Sequence, residues 1–387
     1  RPVDRPQTDT LETARTDIDR LIGDKLHKLG ISPSPLCADQ EFLRRISLDL
    51  TGTLPVPNEV EAFLSDSSPD KRQRKIDDLL ERPAYAAWWA NKLCDYTGNN
   101  PRQQSDVGQE LAVQWYRWIY VRLRQNMPYD ELAASIVLAT GREPDSSYLD
   151  YAREMSSYLR VDNPADFGKR ATMPHYWARR SLATPADKAL AFAHSFLGVQ
   201  LQCAQCHKHP FDQWSKADFE QFTEFFEPIR YGVAPDGMEQ HQRMARANNA
   251  RMKGGMMMGV GADMLGRAET GEVVPWREVY VRQSGTTNKQ VSLLGMKRVG
   301  LGAKTDPRRH LMDWMREPGN AYFARAFVNR VWANYFGVGI IDPPDDLNQA
   351  NPPSNKELLN YLESGFIKGG YDMKWLHREI VSSDAYQ

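Results

Sequence analysis

Residues 196–214 read Phe196-Leu197-Gly198-Val199-Gln200-Leu201-Gln202-Cys203-Ala204-Gln205-Cys206-His207-Lys208-His209-Pro210-Phe211-Asp212-Gln213-Trp214. At the centre stands Cys-x-x-Cys-His, the attachment pattern of a c-type haem. The thiols of Cys203 and Cys206 suit addition across the two porphyrin vinyl groups to give thioethers, and the adjacent His207 suits the proximal position on the iron. With four cysteines and eight histidines in 387 residues, independent placement would give this pattern at odds of roughly one in a thousand. Two other chemistries stay open. Cys203, Cys206, His207 and His209 are a possible zinc set, although a tetrahedron is hard to close from seven consecutive residues. A redox dithiol normally follows a strand at a helix N-terminus, whereas here an apolar, helically spaced stretch precedes the motif.

Working outward, that stretch opens at Thr184-Pro185-Ala186-Asp187, a cap followed by proline, and is expected to run as a helix through Phe192, Phe196 and Leu201 into the motif. Upstream, apolar residues recur at helical spacing in 11–29, 39–50, 59–64, 85–96, 107–125 and 129–139, with a further helix expected after Ser68-Pro69-Asp70. A polar region, 141–171, interrupts this pattern. Downstream, Ser215 caps a short helix bearing Phe219, Phe222, Phe225 and Phe226. Residues 232–271, rich in glycine and methionine, show no regular pattern and are expected to form a long loop. Residues 272–294 alternate and carry β-branched side chains, predicting a small sheet or hairpin. Helical spacing returns in 310–315, 321–336, 356–367 and 373–381. The expected architecture is mainly α: a multi-helix domain over 1–230, a loop and small β insertion over 231–304, and a helical domain over 305–387.

Lysine plus arginine (49) nearly balances aspartate plus glutamate (50), so no large net field draws the chain to nucleic acid or an anionic membrane. No run approaches the length of a membrane-spanning helix. Covalent haem attachment requires export, which places the protein in the periplasm or outside the cell. The polar start at Arg1 predicts a removed leader, and the missing stop signal at Gln387 predicts that the natural chain continues. In an oxidising compartment the remaining cysteines, Cys37 and Cys94, are either bridged or two free thiols.

Three segments carry a family resemblance: residues 42–55 (Phe42-Leu43-Arg44-Arg45-Ile46-Ser47-Leu48-Asp49-Leu50-Thr51-Gly52-Thr53-Leu54-Pro55), residues 196–214, and residues 320–333 with Gly337-Val338-Gly339. With them the chain resembles large secreted planctomycete proteins that join a cytochrome-like domain to a C-terminal domain of unknown function. The resemblance covers most of 35–230 and 305–387. It implies a mainly helical, exported, haem-c-associated protein without a settled reaction.

The second face of the iron decides between electron transfer and ligand chemistry. His209 is too close to His207 to cross the porphyrin. His194, nine residues before Cys203, falls on the opposite side of a continuous helix. His175 and His241 come from separate segments and are free to approach, as are Met173 and the methionines of 252–264, whose ordinary role is apolar filler. Short of ligation, His209 either sits in a distal pocket or second metal site, with Asp212 orienting its other nitrogen, or belongs to a His209-Pro210 turn whose imidazole bonds to backbone, with Trp214 covering the haem edge. Arg325, Asn329 and Arg330 suit either an anionic ligand or ties between helices and loops. The oxygen-rich loop Asp342, Asp345, Asp346, Asn348 suggests calcium but lacks EF-hand order. Function is therefore expected to be electron transfer with a redox partner protein. The alternatives are a haem enzyme with an open distal face, acting on an extracellular substrate such as carbohydrate, and an envelope protein stabilised by haem or metal.

Overall fold

Thr16 and Asp19 form a reciprocal capping box, and helix α1 (Asp17–Leu29) ends where Gly30 turns left-handed at φ 67°. The computed structural model describes residues 14–104, 107–208, 212–252, 260–282, 289–294, 298–303 and 305–387. Six more helices follow α1: α2 (Asp39–Thr51), α3 (Pro57–Ser65), α4 (Lys71–Glu81), α5 (Pro83–Thr97), α6 (Gly108–Arg124) and α7 (Tyr129–Val137). Most bury one apolar stripe, in α2 Phe42, Leu43, Ile46 and Leu50, whereas α3 buries Phe63 alone. Asp39 is the first residue of α2 rather than its cap, which is Ala38.

The polar region 141–171, where the helical pattern breaks off, nevertheless contains a helix, α8 (Tyr148–Ser157). Its signal was present: Ser147 accepts from the Asp150 amide, and Tyr148, Tyr151, Ala152 and Met155 recur at helical spacing. They pack into a satellite core with Val107, Leu111, Ala268, Val274 and Trp276.

The main chain of the site region comprises α9 (Pro185–Phe192) and α10 (Lys216–Thr223). The expected long loop over 232–271 is instead largely helical, with α11 (Met238–Met252) and α12 (Val260–Glu269). Helix α11 is polar around most of its circumference, so it carries no apolar stripe to announce itself. Residues 253–259 of the glycine- and methionine-rich stretch lie outside the described residues. The β content is two separate antiparallel pairs. Strand β1 (Ile229–Gly232) pairs with β2 (Glu278–Val281), Ile229 opposite Val281, and β3 (Lys289–Ser292) pairs with β4 (Arg298–Leu301).

Helices α13 (Arg308–Met315), α14 (Phe323–Phe336), α15 (Lys356–Lys368) and α16 (Met373–Val381) complete the chain. They do not build a core of their own. One hydrophobic cluster joins Ile18, Phe42 and Trp89 to Phe196 and Phe222, and on to Phe327, Leu362 and Leu376. Tyr129 of α7 stacks on Phe327 of α14 at 3.9 Å between ring centroids. The fully buried Arg308 donates to the carbonyls of Val137 (3.0 Å) and Ala139 (2.8 Å) at the end of α7. No helix among the described residues is long and apolar enough to cross a membrane. Cys37 and Cys94 are free thiols, Cys94 buried in α5 and Cys37 half-buried ahead of α2. This settles the open question of a bridge in favour of free thiols.

Candidate functional site

The approach to the motif is set by Thr184, whose hydroxyl accepts from the Asp187 amide while Asp187 accepts in return, starting α9. The helix does not run unbroken into the motif. It widens over Ala193–Leu197 and stops at Gly198, φ 62°. Only glycine suits this position: the backbone is left-handed, and a Cβ would stand 3.0 Å from Ala326 Cβ and 3.1 Å from Leu347 Cδ1. The break also removes the helical-wheel placement of His194. Its side chain is about half exposed, with Nε2 3.8 Å from Asp345 Oδ2. Desolvation, reinforced by the nearby Arg330 charge, holds its pKa below the ordinary histidine value.

Beyond Gly198 the chain forms a tight 3₁₀ turn over Gln202–Gln205. The Ala204 amide donates to the Leu201 carbonyl at 3.0 Å, and the Cys206 and His207 amides both donate to the Cys203 carbonyl at 3.3 Å. Leu201 and Ala204 are buried and pin the turn to the core, where α10 packs against it. Cys203, Cys206 and His207 are thereby exposed together. The three side chains are exposed on a turn whose inner side is closed by the buried Leu201 and Ala204.

His207 Nδ1 lies 2.7 Å from the Lys208 carbonyl oxygen. A carbonyl only accepts, so Nδ1 is the donor of this bond and Nε2 is the nitrogen not engaged in it. A neutral imidazole whose second nitrogen donates to a carbonyl is the usual state of a metal-ligating histidine. The residues present therefore fit a covalently attached haem: Cys203 and Cys206 would hold the porphyrin and His207 Nε2 the iron. Among the described residues no group of three or more His, Cys, Asp or Glu side chains is drawn together; the zinc alternative also needs His209, which is not among them.

The other candidates are dispersed. His209, with Pro210 and Phe211, lies outside the described residues. Asp212 accepts from the Gln213 amide at 2.7 Å. Trp214 is buried, its ring 6.2 Å from that of Tyr322, so it faces the core rather than the outer side of the motif. Burial, with the Asp212 charge nearby, pushes the Tyr322 hydroxyl up to about 12. Asp212 and Trp214 are thus brought together at Tyr322. His175 is placed elsewhere: its Nε2 pairs with Gln114 Oε1 at 2.9 Å and its ring stacks on Phe167. Burial lowers its pKa to about 3. Met173 is core, and His241 sits against Tyr148.

The polar residues of α14 are ties. Asn329 Nδ2 donates to the carbonyls of Ile341 (2.8 Å) and Pro344 (3.1 Å), and its Oδ1 accepts from the Ile341 amide. Arg325 pairs with Glu363. Arg330 pairs with Asp345 and donates to the carbonyls of His194 and Ser195. In the oxygen-rich loop, Asp342 accepts from the Gly339 amide and Asp346 from Asn348, so protein donors already engage these oxygens. The reach of Arg330 to the segment before the motif was not read from sequence. An arginine set among Phe327, Val331 and Trp332 was its only signal.

The family model described as PSCyt2: Protein of unknown function (DUF1549) matches residues 17–231. A second, described as PSD1: Protein of unknown function (DUF1553), matches residues 307–387. No curated protein and no solved structure matches the chain.

Proposed function

The chain belongs to the PSCyt2 family, and from that premise we propose that it is an exported protein that carries one covalent haem c and passes electrons to a redox partner protein. The observation that carries this reading is the setting of His207: its Nδ1 donates to the Lys208 carbonyl, which leaves Nε2 as the nitrogen not used in that bond, and both thiols of the same turn are exposed. Haem, when bound, supplies a one-electron couple at its iron. Cys203 and Cys206 would fix its position and His207 Nε2 would ligate the iron, with the Lys208 carbonyl orienting the imidazole through Nδ1. Leu201 and Ala204, buried beneath the turn, hold these three side chains against displacement. Export follows from the chemistry, because thioether attachment takes place outside the cytoplasm.

The test is spectroscopy on the natural protein after export. Haem that stays with the polypeptide after denaturation, and is lost in the variant Cys203→Ala/Cys206→Ala, supports attachment. A sharp reduced spectrum unmoved by carbon monoxide supports electron transfer; a carbon monoxide shift would replace it with ligand chemistry. Absence of covalent haem would overturn the proposal.

A further inference from the structure

Both flanks of the motif are gripped by the C-terminal helical segment. On the upstream side Arg330 is the centre of the contact. Its side chain is 2% exposed, its Nη1 donates to the Ser195 carbonyl at 2.5 Å, and its Nη2 donates to the His194 carbonyl. Its Nε is held by Asp345, and its guanidinium lies 5.0 Å from the centre of the Tyr96 ring. The Leu347 amide donates to the Gly198 carbonyl at 2.9 Å, directly at the left-handed residue from which the chain turns toward Cys203. On the downstream side Gln349 reaches Gln213 at 3.3 Å, and Trp214 packs on Tyr322. Arginine suits such a clamp because its planar fork offers several donors in fixed geometry.

We propose that Arg330 is a positioning residue for the proximal haem ligand, and that the segment matched by PSD1 serves as the clamp that fixes the haem-bearing turn. The inference rests on the haem reading for its redox consequence, but its mechanical part does not. By holding residues 194–198 and 213–214, the clamp sets where the turn begins and ends, and hence how the His207 ring stands to the Lys208 carbonyl. Orientation of a ligating histidine and its hydrogen bond tunes the metal it holds.

The experiment compares the holoprotein variants Arg330→Gln and Arg308→Gln. Arg308 is equally buried in the same segment but donates to carbonyls at the end of α7, far along the chain from the motif. Both variants lower stability. Only Arg330→Gln is expected to shift the midpoint potential and the ligand-sensitive electron paramagnetic resonance signals of the haem. In hydrogen exchange it is expected to speed the amides of 199–207 by roughly tenfold or more relative to those of 137–141. Asp345→Asn, which loosens Arg330 without removing it, is expected to give the same changes in smaller measure and serves if Arg330→Gln fails to fold. Equal shifts from both arginine variants, or none from either Arg330→Gln or Asp345→Asn, overturn the inference. If the wild-type protein carries no haem, the haem reading fails, and the exchange comparison alone decides whether the clamp acts on the turn.

Discussion

Trp214 packs its indole 6.2 Å from the Tyr322 ring, across the junction of the two segments matched by different families. The Nε1 of Trp214 is buried with no hydrogen-bond partner among the described residues. Its contribution is therefore contact area rather than a polar bond. Trp214→Ala is expected to cost about 3–5 kcal/mol, as for large buried aromatics, and Trp214→Phe markedly less because no hydrogen bond is lost. Denaturant midpoints of the two variants check this; equal losses would contradict it.

Arg308, fully buried, donates to backbone carbonyls of α7 and pairs with Asp306 at 2.7 Å. Arg308→Met leaves those carbonyls and the aspartate without their partner. A loss of about 3–5 kcal/mol is expected, the range for breaking a buried ion pair from one side, and equilibrium unfolding measures it.

Thiol reactivity separates the two motif cysteines from Cys94. Cys203 and Cys206 are exposed, whereas Cys94 is buried and burial pushes its thiol up to about 12. The thiolate is the reactive form. In haem-free protein, alkylation mapped by mass spectrometry is expected at Cys203 and Cys206 first, with Cys94 modified only after unfolding.

Two buried histidines set an acid limit. Burial lowers His175 and His377 to about 3; His175 pairs with Gln114, and His377 shares a 2.7 Å hydrogen bond with Tyr335. The unfolded chain binds protons near pH 6.5 and the folded one does not, so stability is full above that pH. It falls as pH drops toward 3, by about 1.4 kcal/mol per pH unit for each histidine. Urea midpoints from pH 7 to 4 read this slope; a flat profile would contradict the burial of both rings.

His207→Ala is expected to keep the thioethers but lose the proximal bond. The absorption spectrum of the haem, still attached, then changes from that of the parent. An unchanged spectrum would show that another residue holds the iron.

Much of the helical layout was legible because it depends on local rules. Thr184 and Ser215 announce their helices through capping boxes with Asp187 and Asp218, and the apolar stripes of α2 and α6 recur at 3.6-residue spacing. Helix α8 was legible too, in Ser147 and the Tyr148, Tyr151, Ala152, Met155 series, but lay inside a stretch dominated by polar residues. Helix α11 offered no stripe to read. The β1–β2 pairing joins Arg230 to Tyr280, a partnership that no local pattern encodes.

At the site, residue identity alone determined the chemistry on offer: two thiols three apart and a histidine beside the second. Their joint exposure, the break at Gly198 and the committed state of His175 were decided only by the tertiary structure. The physical reason is range. Covalent and helical preferences act over a few residues and are written in order along the chain. The direction a side chain faces depends on what covers the other side of its turn. Here the turn packs on α10, and the segment leading into it is held by Ala326, Arg330 and Leu347, more than a hundred residues away.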